Sequence, residues 1–226
     1  SEAVMLPSAM LLAGSPAGGI DASIPPDQQD YWTRYATSSR AKAHIARHRL
    51  REVLTAAKPL SGVRPLDVGC GSGMSTVSIA LAGAAAPVGI DLNPDLAHRG
   101  PRIASHNGVR AAFVRGDATK LPFAASSFDL VLSMEMLEHI PNWESAVREM
   151  ARIVRPGGRL VLSTPNKWGI HHVLKMLANQ LRLHPTRHAY TYERFLSRRQ
   201  VLHALPFRER ARRALPTFAV NERNAH

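Results

Sequence analysis

The chain has 226 residues, 45% of them apolar and 20% charged, which suits one domain with an appendage and excludes a collagen, a wholly disordered chain and a small disulfide scaffold. Its single cysteine, Cys70, excludes an intramolecular disulfide, a four-thiolate zinc site and cluster-based radical chemistry. The formal charge of +12 is concentrated: residues 167–226 carry 12 basic and 3 acidic side chains, a net +9, against +3 over residues 1–166. A basic C-terminal quarter suits an anionic partner (phosphate, acidic lipid or RNA) and equally a solvated surface.

Residues 1–26 are rich in Ala, Ser, Gly and Pro and contain no Lys or Arg, so they read as a flexible arm. Their apolar patch, Met10 to Ala13, has no basic residue before it and is bracketed by Pro7 and Pro16; it is not read as a signal peptide. No apolar run is long enough to span a membrane. A thiol-poor chain suits a reducing compartment, and a cytoplasmic setting is expected.

Residues 27–226 read as one domain. Tyr31, Trp32 and Tyr35 share one helical face, and Ile45, Leu50, Val53 and Leu54 mark a second helix over 41–57. The pattern then changes to short apolar runs. Strands are expected at 64–68, 87–90, 111–115, 128–133 and 159–163. Helices are expected at 75–81, 96–105 and 143–154, with Pro101 a local blemish and Pro156-Gly157-Gly158 closing the last of them. Strands alternating with helices predict an α/β fold built on a doubly wound, mostly parallel sheet.

Gly69-Cys70-Gly71-Ser72-Gly73 stands where the first strand ends and a helix begins, and Asp91 closes the next strand 18 residues after Gly73. Glycines there allow a tight turn and close approach of a ligand to bare backbone; a carboxylate at the second strand can accept both hydroxyls of a ribose. The spacing is not the Gly-x-Gly-x-x-Gly of a dinucleotide site, and no Gly-Lys-Ser or Gly-Lys-Thr follows, so it is not a P-loop.

Five blocks in order, LDVGCGSG (66–73), GIDLNP (89–94), GDATKLPF (116–123), SSFDLVLSMEMLEHI (126–140) and RPGGRLVLSTPN (155–166), resemble the class I S-adenosylmethionine (SAM) dependent methyltransferases. SMEMLEHI and YWTRYA are most similar to the ubiquinone/menaquinone-biosynthesis type. The resemblance implies a seven-stranded Rossmann-like sheet and SAM as cofactor. It implies that Gly69, Cys70, Gly71 and Gly73 line the methionine half, that Asp91 binds the ribose with Leu92 against the adenine, and that Asp117 and Ala118 meet the adenine amino group. Met134 would pack near the cofactor. Arg40 would pair with its carboxylate, with Arg47 and Arg49 as competitors. Asp67 would brace the loop from beneath.

A hydroxyl or acidic-carbon acceptor needs a base, and His139, just past strand four, is the candidate. Its rival reading is a packing or capping role before Pro141. Glu135 and Glu138 share that loop, and the sequence does not say which faces the pocket. The segment after strand four lacks the Asn/Asp-Pro-Pro-Tyr that grips a planar amino group. The lone cysteine lies in the cofactor loop, away from where a covalent pyrimidine methylation would need it. No metal-ligand set is assigned.

Residues 167–183 form a basic amphipathic pattern, with Ile170, Val173, Leu174, Leu177 and Leu181 on one face. Within an insertion over 167–192, this suits a substrate lid, a peripheral membrane contact or a dimer helix. His188 and Tyr190, with Tyr31 and Tyr35, are expected to line a substrate pocket. The Arg-rich end departs from the family pattern, so the last two strands are expected to be irregular. The reading is methyl transfer from SAM to a small, aromatic or prenylated hydroxyl-bearing metabolite, by O- or C-methylation. The alternatives are an RNA methyltransferase using the basic C-terminal region and a non-catalytic SAM-binding subunit.

Overall fold

The computed structural model describes residues 40–93, 95–164, 196–206, 210–213 and 218–221. In chain order they form α1 (Arg40–Ala57), β1 (Pro65–Val68), α2 (Met74–Leu81), β2 (Val88–Asp91), α3 (Leu96–His106), β3 (Ala112–Arg115) and β4 (Phe128–Met134). These are followed by a 3-10 turn (Leu137–His139), α4 (Trp143–Ile153), β5 (Val154–Ser163), α5 (Arg198–Ala204), β6 (Arg210–Arg213) and β7 (Phe218–Asn221). The arm 1–26, Tyr31 and Tyr35, and the expected lid at 167–192 with His188 and Tyr190, lie outside the described residues.

The strands form one sheet in the order β3-β2-β1-β4-β5-β7-β6. The pairs from β3 to β5 are parallel, and β7 runs antiparallel between β5 and β6. The expected irregular C-terminal strands are present as two four-residue strands. The winding reverses between β1 and β4, and in an open parallel sheet ligands bind beyond the strand C-termini at such a reversal.

Both faces of the sheet are buried. Leu130, Leu132 and Val161 pack against Leu50, Val53, Leu54 and Ala57 of α1 and Ile79 of α2. Val68, Ile90, Val131 and Leu162 pack against Ala146, Val147 and Met150 of α4, Val201 of α5 and Leu205 just after it. Nothing acidic stands in the first turn of α1 and nothing basic in its last. Its buried stripe holds it instead, at about 1.5–3 kcal/mol per large apolar side chain.

Two elements differ from the sequence reading. Pro156-Gly157-Gly158 does not close α4: the helix ends at Ile153, and Val154 already pairs with Phe128 as the start of β5. The three residues form an irregularity inside that strand, with Gly157 at φ 74°, before Arg159 resumes opposite Leu130. Ser126 N–H and Ser127 N–H donate to the carbonyls of Arg152 and Ile153, which starts the pairing early. Pro101 does not end α3; it sits inside it on the exposed side.

Candidate cofactor site

β1 delivers the chain into a loop in which Gly69, Gly71 and Gly73 all take positive φ. Gly69 N–H and Cys70 N–H both donate to the Ile90 carbonyl, tying the loop to β2. Two glycines are required by space as well as by conformation. A Cβ on Gly69 would lie 2.5 Å from Met136 Cγ, and one on Gly73 would lie 2.5 Å from the Phe113 ring. The Phe113 ring is also packed into Gly100 of α3, so it wedges the end of the loop against that helix.

Beneath the loop, Asp67 is buried, and its Oδ2 accepts from the hydroxyls of Ser75 and Thr76 in α2. This is the bracing role expected for it. Burial, with a smaller push from Asp91, raises its carboxyl from an ordinary 3.8 to about 6, against the lowering effect of the two hydroxyls. Cys70 is buried beside it. Desolvation first, and then the Asp67 and Asp91 charges, push the thiol well above its ordinary 9.0. A buried thiol held protonated at neutral pH is a poor nucleophile, which leaves Cys70 a packing role and its backbone contacts.

Asp91 closes β2 half-buried. Its Oδ2 accepts from Gly71 N–H at 2.8 Å and its Oδ1 from Asn93 N–H at 2.8 Å. Each carboxylate oxygen has a second lone pair, so the group that fixes the glycine loop can also accept two ligand hydroxyls. The next residue, Leu92, is 63% exposed, the exposed large hydrophobic side chain among the described residues. Such a residue beside a polar anchor is what a flat apolar ring requires. Across the sheet end, Gly116 N–H donates to the Asp91 carbonyl. Asp117 then turns the loop with its Oδ1 accepting from Thr119 N–H and Oγ–H, both at 2.8 Å. Ala118 follows, half-buried against the core.

The rim beyond β4 is shaped by Glu135, a non-glycine residue at φ 52°. Its Oε2 takes an ion pair from Arg49 of α1 at 2.7 Å, and its Oε1 accepts from Ser163 at the end of β5 at 3.1 Å. Met134 packs on the α1 side of the sheet, whereas Met136 lies over Gly69 on the other side. Glu138 is buried and faces inward, with Oε1 3.9 Å from His139 Nε2; the imidazole is 20% exposed on the rim. Of the two acids left open by the sequence, Glu138 backs the histidine and Glu135 clasps α1.

Sequence reasoning therefore missed Met136, for which the repeated methionine was the only signal. It also ranked Arg40 above Arg49. Arg40 starts α1 and its side chain is not among those described, while Arg49 reaches the rim.

Residues 66–162 match the family model for a methyltransferase domain. This segment is similar to the class I SAM-dependent methyltransferase domains. The domain is 38% identical over 117 residues to the ubiquinone biosynthesis O-methyltransferase of Methylococcus capsulatus, covering 51% of this chain and 49% of that protein. It is 36% identical over 131 residues to the 27-O-demethylrifamycin SV methyltransferase of Amycolatopsis mediterranei, covering 57% and 48%. The chain thus spans about half the length of these curated relatives. Among solved structures it resembles the [4+2]-cyclase SpnF, with TM-score 0.59 and 25% identity over 72% of this chain and 56% of that one. The cofactor of the family is SAM, and the glycine loop, the Asp91 carboxylate and the exposed Leu92 fit it.

Proposed function

We propose that the chain transfers the methyl group of SAM to a hydroxyl or an acidic carbon of a small, aromatic or prenylated metabolite. The observation that carries this reading is the junction of β1 and β2. There one carboxylate, Asp91, both fixes Gly71 and stands next to the exposed Leu92. The acceptor class draws on the two curated relatives, whose names specify a quinone pathway and a rifamycin.

When bound, SAM supplies a methyl already activated by its sulfonium. The protein has to hold the two partners in line and exclude water. The backbone of Gly69, Cys70, Gly71 and Gly73 would accommodate the methionine half, Asp91 the ribose hydroxyls, and Leu92, Asp117 and Ala118 the adenine. Met136 lies over the loop at Gly69, and Met134, on the α1 side of the sheet, is proposed to pack near the cofactor. Arg40 is proposed for the cofactor carboxylate, with Arg49, which reaches the rim paired to Glu135, as its competitor. His139 would take the acceptor proton, with the Glu138 carboxylate behind it to orient the ring. The 3.9 Å separation between them needs only a small closing movement to become a hydrogen bond.

Tyr31, Tyr35, His188 and Tyr190 are proposed for the acceptor pocket. The segment 167–183 is proposed as its lid, able to rest on an anionic membrane from the cytoplasmic side. Pelleting with anionic but not neutral vesicles supports that last point, and no pelleting with either refutes it.

The test of the proposed reaction is incubation with SAM and a panel of polyphenols and short-chain prenylated catechols, read by mass spectrometry. Products heavier by one CH2, with stoichiometric S-adenosylhomocysteine, support it. Turnover of RNA alone would instead favour the basic C-terminal region, with its net +9, as an RNA surface.

A further inference from the structure

We infer that the ion pair Glu149–Arg152 on α4 is a positioning device for the adenine-side wall of the cofactor site, although neither residue approaches the glycine loop. The inference rests on the cofactor reading above.

The loop between β3 and β4 has two ends with different tasks. Its first part, Gly116 to Lys120, carries Asp117 and Ala118 and hangs from β2 through Gly116 N–H. Its own turn is closed by Lys120 N–H donating to the Asp117 carbonyl. Its second part, Leu121 to Phe123, is stapled to α4. Leu121 N–H donates to Glu149 Oε2 at 2.8 Å. Arg152 donates through Nη2 to the Leu121 carbonyl at 3.1 Å and through Nη1 to the Phe123 carbonyl at 2.9 Å. The same guanidinium grips Glu149 twice, Nε to Oε1 at 2.7 Å and Nη2 to Oε2 at 2.8 Å.

One planar fork thus satisfies two carbonyls and a carboxylate at once, which a lysine cannot do. Each partner reinforces the other. The guanidinium lowers the Glu149 carboxyl below its ordinary range, and the carboxylate raises Arg152. Pro122 sits between the stapled carbonyls and can offer no donor of its own. Without the pair, the second part of the loop would keep the buried Leu121 side chain and the edge-on Phe123–Phe128 contact, with ring centroids 5.1 Å apart, but would lose the polar bonds from Leu121 and Phe123 to α4. The local bonds of Asp117 to Thr119 and Lys120 shape its own turn, and the pair on α4 sets where the following backbone lies.

Two features separate this from ordinary fold support. Glu149 and Arg152 are only partly buried, at 22% and 37% side-chain exposure, whereas α4 is held to the sheet by the fully buried Ala146, Val147 and Met150. The pair also contacts the loop by its backbone, so it sets the position of the chain and leaves the identity of the neighbouring side chains open.

The experiment compares two ligands by calorimetry: SAM, and 5′-methylthioadenosine, which keeps the adenine and ribose but lacks the amino acid. The Arg152→Leu and Glu149→Gln proteins are expected to bind both ligands about tenfold more weakly, a loss near 1.4 kcal/mol. Arg152→Lys should fall between these and the wild type. Val147→Ala, on the core side of the same helix, should lower the melting temperature yet leave methylthioadenosine binding intact. Arg49→Leu should weaken SAM and spare methylthioadenosine.

Cooperatively melting Arg152→Leu and Glu149→Gln proteins that bind methylthioadenosine like the wild type would overturn the inference. So would a Val147→Ala protein that loses binding in proportion to its stability. Should Arg152→Leu fail to fold, Arg152→Lys and Glu149→Gln decide by the same comparison. A wild type that binds neither ligand would refute the cofactor reading itself, a result distinct from all of these.

Discussion

Replacing Asp91 by alanine removes the acceptor at the centre of the site, and the size of the effect can be worked from its contacts. In the free protein the carboxylate holds Gly71 N–H and Asn93 N–H, each at 2.8 Å. Both amides belong to partly exposed loops, so water can replace the lost partner, and the fold should lose only about 1 kcal/mol. The bound state loses much more. Two ribose hydroxyls donating to a charged acceptor contribute about 1.5–3 kcal/mol each, so affinity should fall by about 10²- to 10⁴-fold. Asp91→Asn should be nearly as damaging, because its amide NH2 group would face a backbone N–H donor. Calorimetry with S-adenosylhomocysteine measures the loss without turnover, and a melting curve shows that the variant is folded. A folded Asp91→Ala protein that binds S-adenosylhomocysteine within about threefold of the wild type would refute the ribose assignment and the reasoning built on it.

Further predictions follow from the other parts of the site. Asp67 holds its proton more tightly in the folded chain (about 6) than at the ordinary 3.8. The protonated carboxyl therefore favours folding fully below about pH 4, and that contribution is lost as pH rises to 6, in total about 3 kcal/mol. Asp67→Asn does not titrate, so its stability relative to the wild type should improve by that order between pH 4 and 6; a pH-independent difference would refute the buried-carboxyl account. His139→Ala should lower turnover by about 10²-fold or more while leaving SAM affinity intact, and a fully active variant would remove His139 from the chemistry. Gly69→Ala places a Cβ 2.5 Å from Met136 Cγ at φ 76°, and should weaken SAM binding and stability. Adding Met136→Ala should relieve the clash and recover part of both, and a pair of strictly additive losses would show that Met136 does not cover the loop.

The order of strands and helices, the glycine loop and the acid ending β2 were all legible in the sequence, because each is a local signal. Buried strands are apolar runs, and the loop and its acid are short motifs with fixed positions at strand ends. The rim was not legible, and Glu135 explains why. A strand puts alternate side chains on one face, so Met134 and Met136 should lie together. The left-handed φ of Glu135 breaks the alternation and sends Met136 across to Gly69. The same break turns the Glu135 carboxylate toward Arg49 and Ser163, and leaves Glu138 to back His139. The Arg49–Glu135 ion pair could not be read from spacing alone, since it depends on how α1 packs against the end of β4. The bulge at Pro156–Gly158 was misread for a related reason: a Pro-Gly-Gly string marks a break in regular pairing without telling a helix stop from an irregular strand.

The most direct test of the account is the fate of a labelled methyl group. The protein is given SAM labelled in the methyl and an extract of its source cells, and the products are separated into solvent-extractable, RNA and protein fractions. Label that enters the solvent-extractable fraction, and is lost with Asp91→Ala and His139→Ala, is the predicted result. Label found only in RNA or protein would contradict a small lipophilic acceptor, and no transfer of label despite tight SAM binding would contradict the methyltransferase activity itself.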